Sequence, residues 1–376
     1  MYLSQLSLSN YRSYETAELA LKPGVTVFVG NNGQGKTNLV EAVEYLATQS
    51  SHRVANDTAL VKAGTDQAIV RGSVVAGLDD DRTLLLEIEI NPGKSNRARL
   101  NRAPVTRFRD LIGILRCIAF TPDDLAIVKG DPADRRDFLD SVVLTRWPRM
   151  AGVKSDYERV LKQRNALLKG LSGRSHRQRS EYDETTLEVW NDQLVVLGAE
   201  LLEARLDTFT ELLPLAAELY LGIAPTNNVV SGSYRGTVEY TEPSRQSLEE
   251  GFRVGLAEKR HEEIVRGVTL IGPHRDELAL FIGDLPTKGY ASHGESWSLA
   301  LSLKLAAWQL IQQDHIEPVL ILDDVFAELD VARRERLAEL VGSAEQVLIT
   351  AAVEADVPER LNGQRFRVVK GEVTPE

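Results

Sequence analysis

The sequence predicts an α/β fold in which a helical lobe is inserted between the two halves of one α/β lobe. A short apolar run at residues 25–29, a glycine-rich turn and a helical pattern follow one another early in the chain. From about residue 135 to residue 222 the pattern is helical, and from about residue 268 strands and helices alternate again. We therefore divide the chain into residues 1–130, 131–265 and 266–376, of which the first and last form one lobe.

The glycine-rich turn at residues 30–37, Gly-Asn-Asn-Gly-Gln-Gly-Lys-Thr, fits the phosphate-loop pattern G-x-x-x-x-G-K-[ST]. Its glycines let several backbone N–H groups face one anion, and the following helix adds its N-terminal dipole. Lys36 is predicted to reach the β- and γ-phosphates of ATP and assist catalysis, and the Thr37 hydroxyl to bind Mg²⁺. The predicted ATP-binding residues here are Gly30, Asn31, Asn32, Gly33, Gln34, Gly35, Lys36, Thr37 and Asn38.

The composition is that of an ordinary globular protein. Of the 376 residues, 43% are hydrophobic and 26% are charged, and no apolar run is long enough to predict a membrane helix. The first residues lack the basic and apolar regions of a signal peptide. The single cysteine, Cys117, lies in an apolar run and is predicted to be a buried strand residue. These features lead us to expect a cytoplasmic protein.

The formal net charge of −11 argues against a histone-like nucleic-acid binder, but it leaves room for a local basic face. Two segments are rich in Lys and Arg, residues 94–109, which contain no acid, and residues 154–179. They are either DNA-binding surfaces or the solvated faces of a hairpin and a helix. The candidate DNA-binding residues are Arg97, Arg99, Arg102, Lys162, Arg174 and Arg177.

The helical region carries a heptad-like apolar stripe. Its residues recur at alternating spacings of three and four and are Leu187, Trp190, Leu194, Leu197, Leu201 and Ala204. Residues 153–171 carry a weaker stripe that matches it, and a polar, basic loop at residues 172–180 lies between the two. We predict an antiparallel helical arm, whose end is marked by Pro214, Gly222 and Pro225.

A second motif lies at residues 319–324, where an apolar strand ends in Asp323 and Asp324. Such a strand delivers a carboxylate beside the phosphates, so Asp323 is a predicted Mg²⁺ ligand. Asp324 alternates to the other face, where it would orient or deprotonate the attacking water and so act in catalysis. The Leu329-Asp330 pair follows after a short linker, and this order of acids is specific to ABC-type ATPases.

Residues 292–295, Ser-His-Gly-Glu, open a helix and resemble the S-x-G-Q signature of that class. Ser292, Gly294 and Glu295 would form a second phosphate cradle, built from a hydroxyl, an amide and a helix N-terminus. In that class the cradle faces the nucleotide of the other subunit, so ATP binds between two chains. Taken alone, the same four residues also fit a helix with a simple serine N-cap.

The motifs occur in the order found in the RecF family, which the chain resembles over nearly its whole length. The stretches that carry the resemblance are residues 10–12, the phosphate loop, and residues 120–125, 135–140, 271–276, 292–295 and 323–330. Residues 272–276, Gly-Pro-His-Arg-Asp, are the most family-specific. The family comprises bacterial DNA-repair ATPases with heads similar to those of SMC and Rad50 proteins.

The resemblance implies an ATP-dependent homodimer with weak, DNA-stimulated ATPase activity. Such a dimer clamps DNA, recognises single-stranded, gapped or junction DNA, promotes RecA loading with RecR and RecO, and supports SOS induction. It also implies a nucleotide contact for Arg12 and an interface-loop (D-loop) role for Asp330.

Some positions depart from the pattern. Glu295 stands where Gln is common, residues 350–352 lack the His of transporter-type relatives, and no glutamine is assigned to a Q-loop. Because Asp324 is one methylene shorter than the Glu usual in such heads, we expect slow turnover.

Three other functions share part of this pattern. The ATPase subunit of a membrane transporter would keep Lys36, Ser292 and Asp323, but the missing His and the long helical insert oppose it. A structural chromosome-condensing protein needs a far longer heptad arm. A small-molecule kinase would need neither Ser292 nor Asp330.

Overall fold

The computed structural model describes residues 1–54, 56–173, 180–224 and 229–376. The chain forms two compact units. The first contains residues 1–125, 215–229 and 292–376, and the second contains residues 126–214 and 230–291. The expected start of the last segment at residue 266 therefore moves to residue 292. The reason is strand pairing, since residues 277–282 pair with residues 230–235 of the second unit.

The described strands, in chain order, are β1 (Tyr2–Tyr11), β2 (Tyr14–Ala20), β3 (Gly24–Val29), β4 (Ala68–Gly77), β5 (Asp80–Ile90), β6 (Arg97–Leu100), β7 (Ala103–Pro104), β8 (Cys117–Phe120), β9 (Val230–Arg235), β10 (Glu277–Ile282), β11 (Leu285–Pro286), β12 (Val319–Asp323), β13 (Gln346–Ala351), β14 (Gln364–Val369) and β15 (Glu372–Pro375). The described helices are α1 (Lys36–Thr48), α2 (Leu125–Lys129), α3 (Pro132–Arg146), α4 (Met150–Leu171), α5 (Glu181–Ile223), α6 (Arg245–Arg266), α7 (Thr287–Tyr290), α8 (His293–Gln313) and α9 (Val331–Val341).

The first unit contains two sheets. One has the strand order β15-β14-β3-β13-β12-β8 and is parallel except for β15. Strands β12 and β13 are buried along their whole length, which explains their unbroken apolar runs. The other sheet is antiparallel, with the order β2-β1-β4-β5-β6-β7. Helix α1 contacts strands of both sheets, and its apolar side chains belong to the same core as theirs.

The parallel sheet explains where a site can form in the first unit. Strands β3, β13 and β12 are neighbours and run in the same direction, so their carboxyl ends meet at one edge. Phosphate-binding loops lie at this edge in open α/β sheets. The edge brings together the phosphate loop after β3, Thr350 near the end of β13, and the two acids at the end of β12.

The second unit contains a helical core and the sheet β11-β10-β9. Helices α4 and α5 pack together as the apolar stripes predict, because Leu168 and Leu171 of α4 lie in one cluster with Leu187 of α5. The pair is not a free arm. Helix α6, which the sequence pattern did not reveal, packs on it through Ile264, and through Phe252 in a second cluster.

Two further details of the helices differ from expectation or add to it. Helix α5 continues through Pro214 to Ile223, so Pro214 does not end it, and residues after Pro214 belong to the first unit. Arg164 of α4 is buried and pairs with Glu263 of α6, Nη2 to Oε2 at 2.6 Å, although we expected its charge on a basic face.

Within the described residues, no helix has the length and apolarity that a membrane span requires.

Candidate nucleotide-binding site

The phosphate loop has backbone geometry that only glycine adopts easily. Gly33 has φ of 80°, and Gly35, the N-cap of α1, has φ of 114°. At Gly30 the constraint is space, because a Cβ there would lie 2.2 Å from the carbonyl oxygen of Val368 on β14. The glycines of the pattern therefore serve two purposes. Gly33 and Gly35 allow the left-handed turn, and Gly30 allows close contact with the neighbouring strand β14.

Lys36 lies almost buried at the start of α1, with 3% of its surface exposed. Its ammonium donates hydrogen bonds to the carbonyl oxygens of Gly30, at 2.7 Å, and Asn31, at 3.3 Å. These two bonds hold the positive charge against the loop, beside the helix N-terminus. Both features attract the same ligand, an anion with several oxygens such as a polyphosphate.

Asp323 at the end of β12 is held by two hydroxyl groups. Thr37 Oγ1 donates to Asp323 Oδ1 at 3.1 Å, and Thr350 Oγ1 donates to the same oxygen at 2.5 Å. Burial raises the pKa of Asp323, as does the neighbouring Asp324, whereas the two hydrogen bonds lower it. The Thr37 hydroxyl and one carboxylate are an oxygen set that suits Mg²⁺, which keeps several waters and needs few protein ligands.

In the described part of the chain, no three His, Cys, Asp or Glu side chains come together in a way that could hold a metal ion.

Asp324 adopts a left-handed backbone conformation, with φ of 52° and ψ of 24°. This costs about 1–2 kcal/mol for most residues, although Asp tolerates it better than most. The Asp324 amide donates to Thr350 Oγ1 at 2.9 Å. The Asp324 Oδ1 atom is buried and has no hydrogen-bond partner in the described chain. Such an atom beside a phosphate loop fits a carboxylate that receives its partner, a water or ligand group, when the site is filled.

These elements surround a polar cleft of about 290 Å³. Its walls are formed by Asn32, Gly33, Gly35, Lys36, Thr37, Asn38, Arg53 and Asp324. The structure thus brings together most of the predicted phosphate-binding residues and the predicted catalytic acid. Gln34 faces elsewhere, since its Oε1 accepts from the Lys370 amide at 2.7 Å.

Arg53 lines the cleft although the sequence analysis did not identify it. Its Nη1 donates to Asn38 Oδ1 at 2.9 Å and lies 3.3 Å from Glu41 Oε2. Glu41 is fully buried on α1 and also accepts from Ser51 Oγ at 2.6 Å. The only signal in the sequence is a lone arginine a few residues after the phosphate-loop helix, and this is too common to interpret.

Arg12, the predicted nucleotide contact on the N-terminal hairpin, is bound to protein groups. It forms a bidentate ion pair with Glu41, with Nε to Oε2 at 2.9 Å and Nη2 to Oε1 at 2.5 Å. Its Nη1 donates to the Ala59 carbonyl at 3.0 Å. It does not line the cleft, so its nucleotide contact remains a prediction. Glu41 therefore balances two arginines, of which Arg53 makes the longer contact.

The predicted signature segment opens α8 with a reciprocal capping arrangement. The Ser292 hydroxyl accepts from the Glu295 amide at 3.3 Å, and the Glu295 carboxylate accepts from the Ser292 amide at 2.8 Å. This gives a local reason for Glu at position 295, because a carboxylate caps a helix start well. Asp330 similarly caps α9, accepting from the Arg333 amide at 2.9 Å. Ser292 and Asp330 are both exposed.

The stretch Gly-Pro-His-Arg-Asp lies in the second unit, where its side chains serve packing. The His274 ring contacts the Tyr157 hydroxyl at 2.7 Å and the Thr269 carbonyl at 3.2 Å, and burial lowers its pKa to about 4. Asp276 accepts from the Tyr234 hydroxyl at 2.8 Å and the Thr237 amide at 2.9 Å. These contacts tie helix α4 to strand β9 and account for the stretch without a ligand.

The candidate DNA-binding residues divide into three groups. Arg97, Arg102 and Lys162 are exposed and form no ion pair with any described residue. Arg99 pairs with Glu87 and Glu89 of the adjacent strand β5, so its charge is largely neutralised. The segment 94–109 thus contains no acidic residue of its own, but Glu87 and Glu89 of β5 lie beside it in the folded chain. Arg174 and Arg177 lie outside the described residues.

A phosphate loop at the edge of a parallel sheet, two acids at the end of the next strand but one in the same sheet and an inserted helical unit define an ATPase head of the ABC type, in its SMC-like form. The solved Smc head domain of Pyrococcus furiosus has this fold, with a TM-score of 0.55 at 17% identity, over 100% of this chain and 96% of that one. The family model described as RecF/RecN/SMC N terminal domain matches residues 2–370.

The chain belongs to the RecF family. It is 56% identical to the DNA replication and repair protein RecF of Cutibacterium acnes, over 99% of this chain and 98% of that protein. It is also similar to a solved structure described as the recombination mediator protein RecF-ATP in the RecFOR pathway. That match has a TM-score of 0.90 at 25% identity and covers 100% of this chain and 97% of the other.

Proposed function

We propose that this protein binds DNA under the control of ATP in recombinational DNA repair and replication-fork maintenance. ATP drives its dimerisation, and the dimer binds single-stranded, gapped or junction DNA. With RecR and RecO it promotes RecA loading and so supports SOS induction in the cytoplasm. The observation that carries this proposal is the cleft in which Lys36, Thr37 and Asp324 converge in a RecF-family chain. The names of the relatives, which specify DNA repair, an ATP complex and the RecFOR pathway, support the rest.

Each cleft residue has a chemical task in this proposal. Lys36 places a positive charge on the β- and γ-phosphates, and the Gly35 and Lys36 amides open toward them at the start of α1. Thr37 and Asp323 would hold Mg²⁺, which neutralises phosphate charge when it is bound. Asp324 orients or deprotonates the attacking water. Arg53, at the wall of the cleft, adds a second cation that Glu41 holds in place.

Hydrolysis should be slow and DNA-stimulated. The Asp324 side chain is short, so a water must approach the strand end closely before this carboxylate can contact it. Ser292 and Gly294 would contact the nucleotide of a second copy, which makes dimerisation a condition for turnover. The exposed position of Ser292 at the start of α8 supports this role.

Lys36→Met should weaken ATP binding about ten- to a hundred-fold, because a charge-assisted contact contributes about 1.5–3 kcal/mol. Met keeps the length of the side chain and removes its charge. Titration with a fluorescent ATP analogue measures the effect, and Lys22→Met, an exposed lysine of the same unit, is the control. Unchanged affinity and unchanged hydrolysis in Lys36→Met would remove Lys36 from the site.

Combined Arg97→Glu and Arg102→Glu should weaken DNA binding at least tenfold. The plot of log binding constant against log salt concentration should become shallower, its slope falling in magnitude by about two. Each lost phosphate contact releases about one counterion fewer. The measurement is fluorescence anisotropy of labelled gapped DNA across a salt series, with and without ATP. ATP affinity should not change, because neither residue lines the cleft.

The control for this variant is Arg82→Glu with Arg336→Glu, two exposed arginines of the same unit that change the net charge equally. If both double variants weaken DNA binding alike, long-range charge and not local contact is responsible. Tight binding by the Arg97 and Arg102 variant would show that these residues form only a solvated face.

A further inference from the structure

The segment that lacks a switch histidine, residues 350–352, has an unexpected partner in the structure. Thr350 lies directly opposite Asp323 in the register of β12 and β13, and its side chain is fully buried. Its hydroxyl contacts both acids of the site. It donates to Asp323 Oδ1 at 2.5 Å and accepts from the Asp324 amide at 2.9 Å.

The direction of both hydrogen bonds is fixed by chemistry. A backbone amide can only donate, so the bond between Asp324 N and Thr350 Oγ1 uses an acceptor site of the hydroxyl. The single proton of the hydroxyl must then point to Asp323. The result is a chain of two bonds, amide to hydroxyl to carboxylate, in which each bond polarises the next.

This chain determines how Asp323 presents its oxygens. Thr37 and Thr350 both donate to Oδ1, whereas Oδ2 accepts no hydrogen bond from the described residues. The Asp323 carboxylate is thereby oriented with Oδ1 bound to the two hydroxyl groups and Oδ2 available to bind a ligand. The same chain anchors the amide of Asp324, whose backbone is in the left-handed region.

We propose that Thr350 is a positioning residue for both acids. It orients Asp323 toward the cation that Thr37 also approaches, and it fixes the turn that directs Asp324 into the cleft. Thr350 touches neither nucleotide nor water in this role, and it acts through the Asp323 carboxylate and the Asp324 backbone. The inference rests on the proposed function, because it assumes that Asp323 and Asp324 serve ATP and Mg²⁺.

Thr350→Val removes the hydroxyl and keeps the branched shape that a buried strand accommodates. We expect the Mg²⁺ concentration for half-maximal hydrolysis to rise about tenfold or more and kcat to fall about tenfold, as when groups behind metal ligands are removed. KM for ATP at saturating Mg²⁺ should change little. Binding of a fluorescent ADP analogue without Mg²⁺ should also stay unchanged, while the gain in affinity that Mg²⁺ gives should shrink.

The series Thr350→Ser and Thr350→Cys separates the hydroxyl from packing. Ser keeps the hydroxyl and should restore the Mg²⁺ response, whereas Cys, a weak donor, should fall between Ser and Val. If Thr350→Val fails to fold in a thermal melt, the Cys variant decides the question. A Cys or Val variant that folds and shows the wild-type Mg²⁺ response and kcat would overturn the proposal.

Thr26→Val is the matched control. Thr26 is equally buried on the neighbouring strand β3, and its hydroxyl contacts Gln364 Oε1 at 3.5 Å instead of an acid. If Thr26→Val reproduces the effect, a general loss of strand polarity explains it. If wild-type protein neither binds nor hydrolyses ATP, the proposed function fails, whereas an active wild type with unaffected Thr350 variants counts against Thr350 alone.

Discussion

Asp324→Asn should reduce ATP hydrolysis by about 10²–10⁴-fold, the usual contribution of a general base. The variant should still bind ATP, because Lys36 and the phosphate loop are intact. Without hydrolysis the ATP-bound state persists, so the protein should accumulate as a dimer. Phosphate release measures the rate, and light scattering with ATP and Mg²⁺ measures the dimer. Asp79→Asn, in an exposed turn between β4 and β5, is the control.

Ser292→Arg gives the complementary result. The added bulk should block contact with a second copy, so this variant should bind ATP and remain monomeric. Because Ser292 also caps α8, its loss costs about 0.5–2 kcal/mol of stability by itself. Ser244→Arg removes an equivalent cap from α6 and controls for that loss. A monomeric Asp324→Asn, or a Ser292→Arg that dimerises normally, would contradict ATP binding between two copies.

Arg164→Met should destabilise the second unit by about 3–5 kcal/mol, because it leaves the buried carboxylate of Glu263 without its cation. The substitution also removes a hydrogen-bond donor from Asn191 and from Thr269, which accept from the same guanidinium at 2.8 Å each. The double variant with Glu263→Met removes both charges and should recover most of the loss. Arg159→Met on the same helix breaks only an exposed pair and should cost less than about 1 kcal/mol.

Urea unfolding followed by tryptophan fluorescence tests this prediction. Trp147 and Trp190 lie in the second unit, whereas Trp297 and Trp308 lie in the first. A background with Trp297→Phe and Trp308→Phe therefore reports the second unit alone, which avoids treating a two-unit chain as one transition. If Arg164→Met unfolds at the wild-type urea concentration, the buried pair does not stabilise this unit.

The sequence allowed prediction where a function is encoded by neighbouring residues. The phosphate loop, the strand that ends in Asp323 and the start of α8 each follow from a contiguous pattern of glycine, apolar run or cap. The apolar stripes of α4 and α5 were equally local, because helical spacing alone reveals which face is buried.

Features that depend on strand register or distant charge were not predictable. Thr350 faces Asp323 only because β12 and β13 pair as they do, and Glu87 neutralises Arg99 only because β5 and β6 are neighbours. Helix α6 was not predicted, because its buried residues form a narrow apolar stripe in a highly charged segment. Pro214 ends no helix, because in a helix of 43 residues the loss of one backbone hydrogen bond is a small part of the total.

The order of strands in the parallel sheet has a consequence for synthesis of the protein on the ribosome. Strand β3, which carries the phosphate loop, pairs with β13 on one side and β14 on the other. Both partners belong to residues 346–369, so they emerge after the whole second unit has been made. At about 5–20 residues per second, β3 must wait tens of seconds with both edges unpaired. During this interval the nascent chain depends on the antiparallel sheet or on chaperones to keep that apolar strand from aggregating.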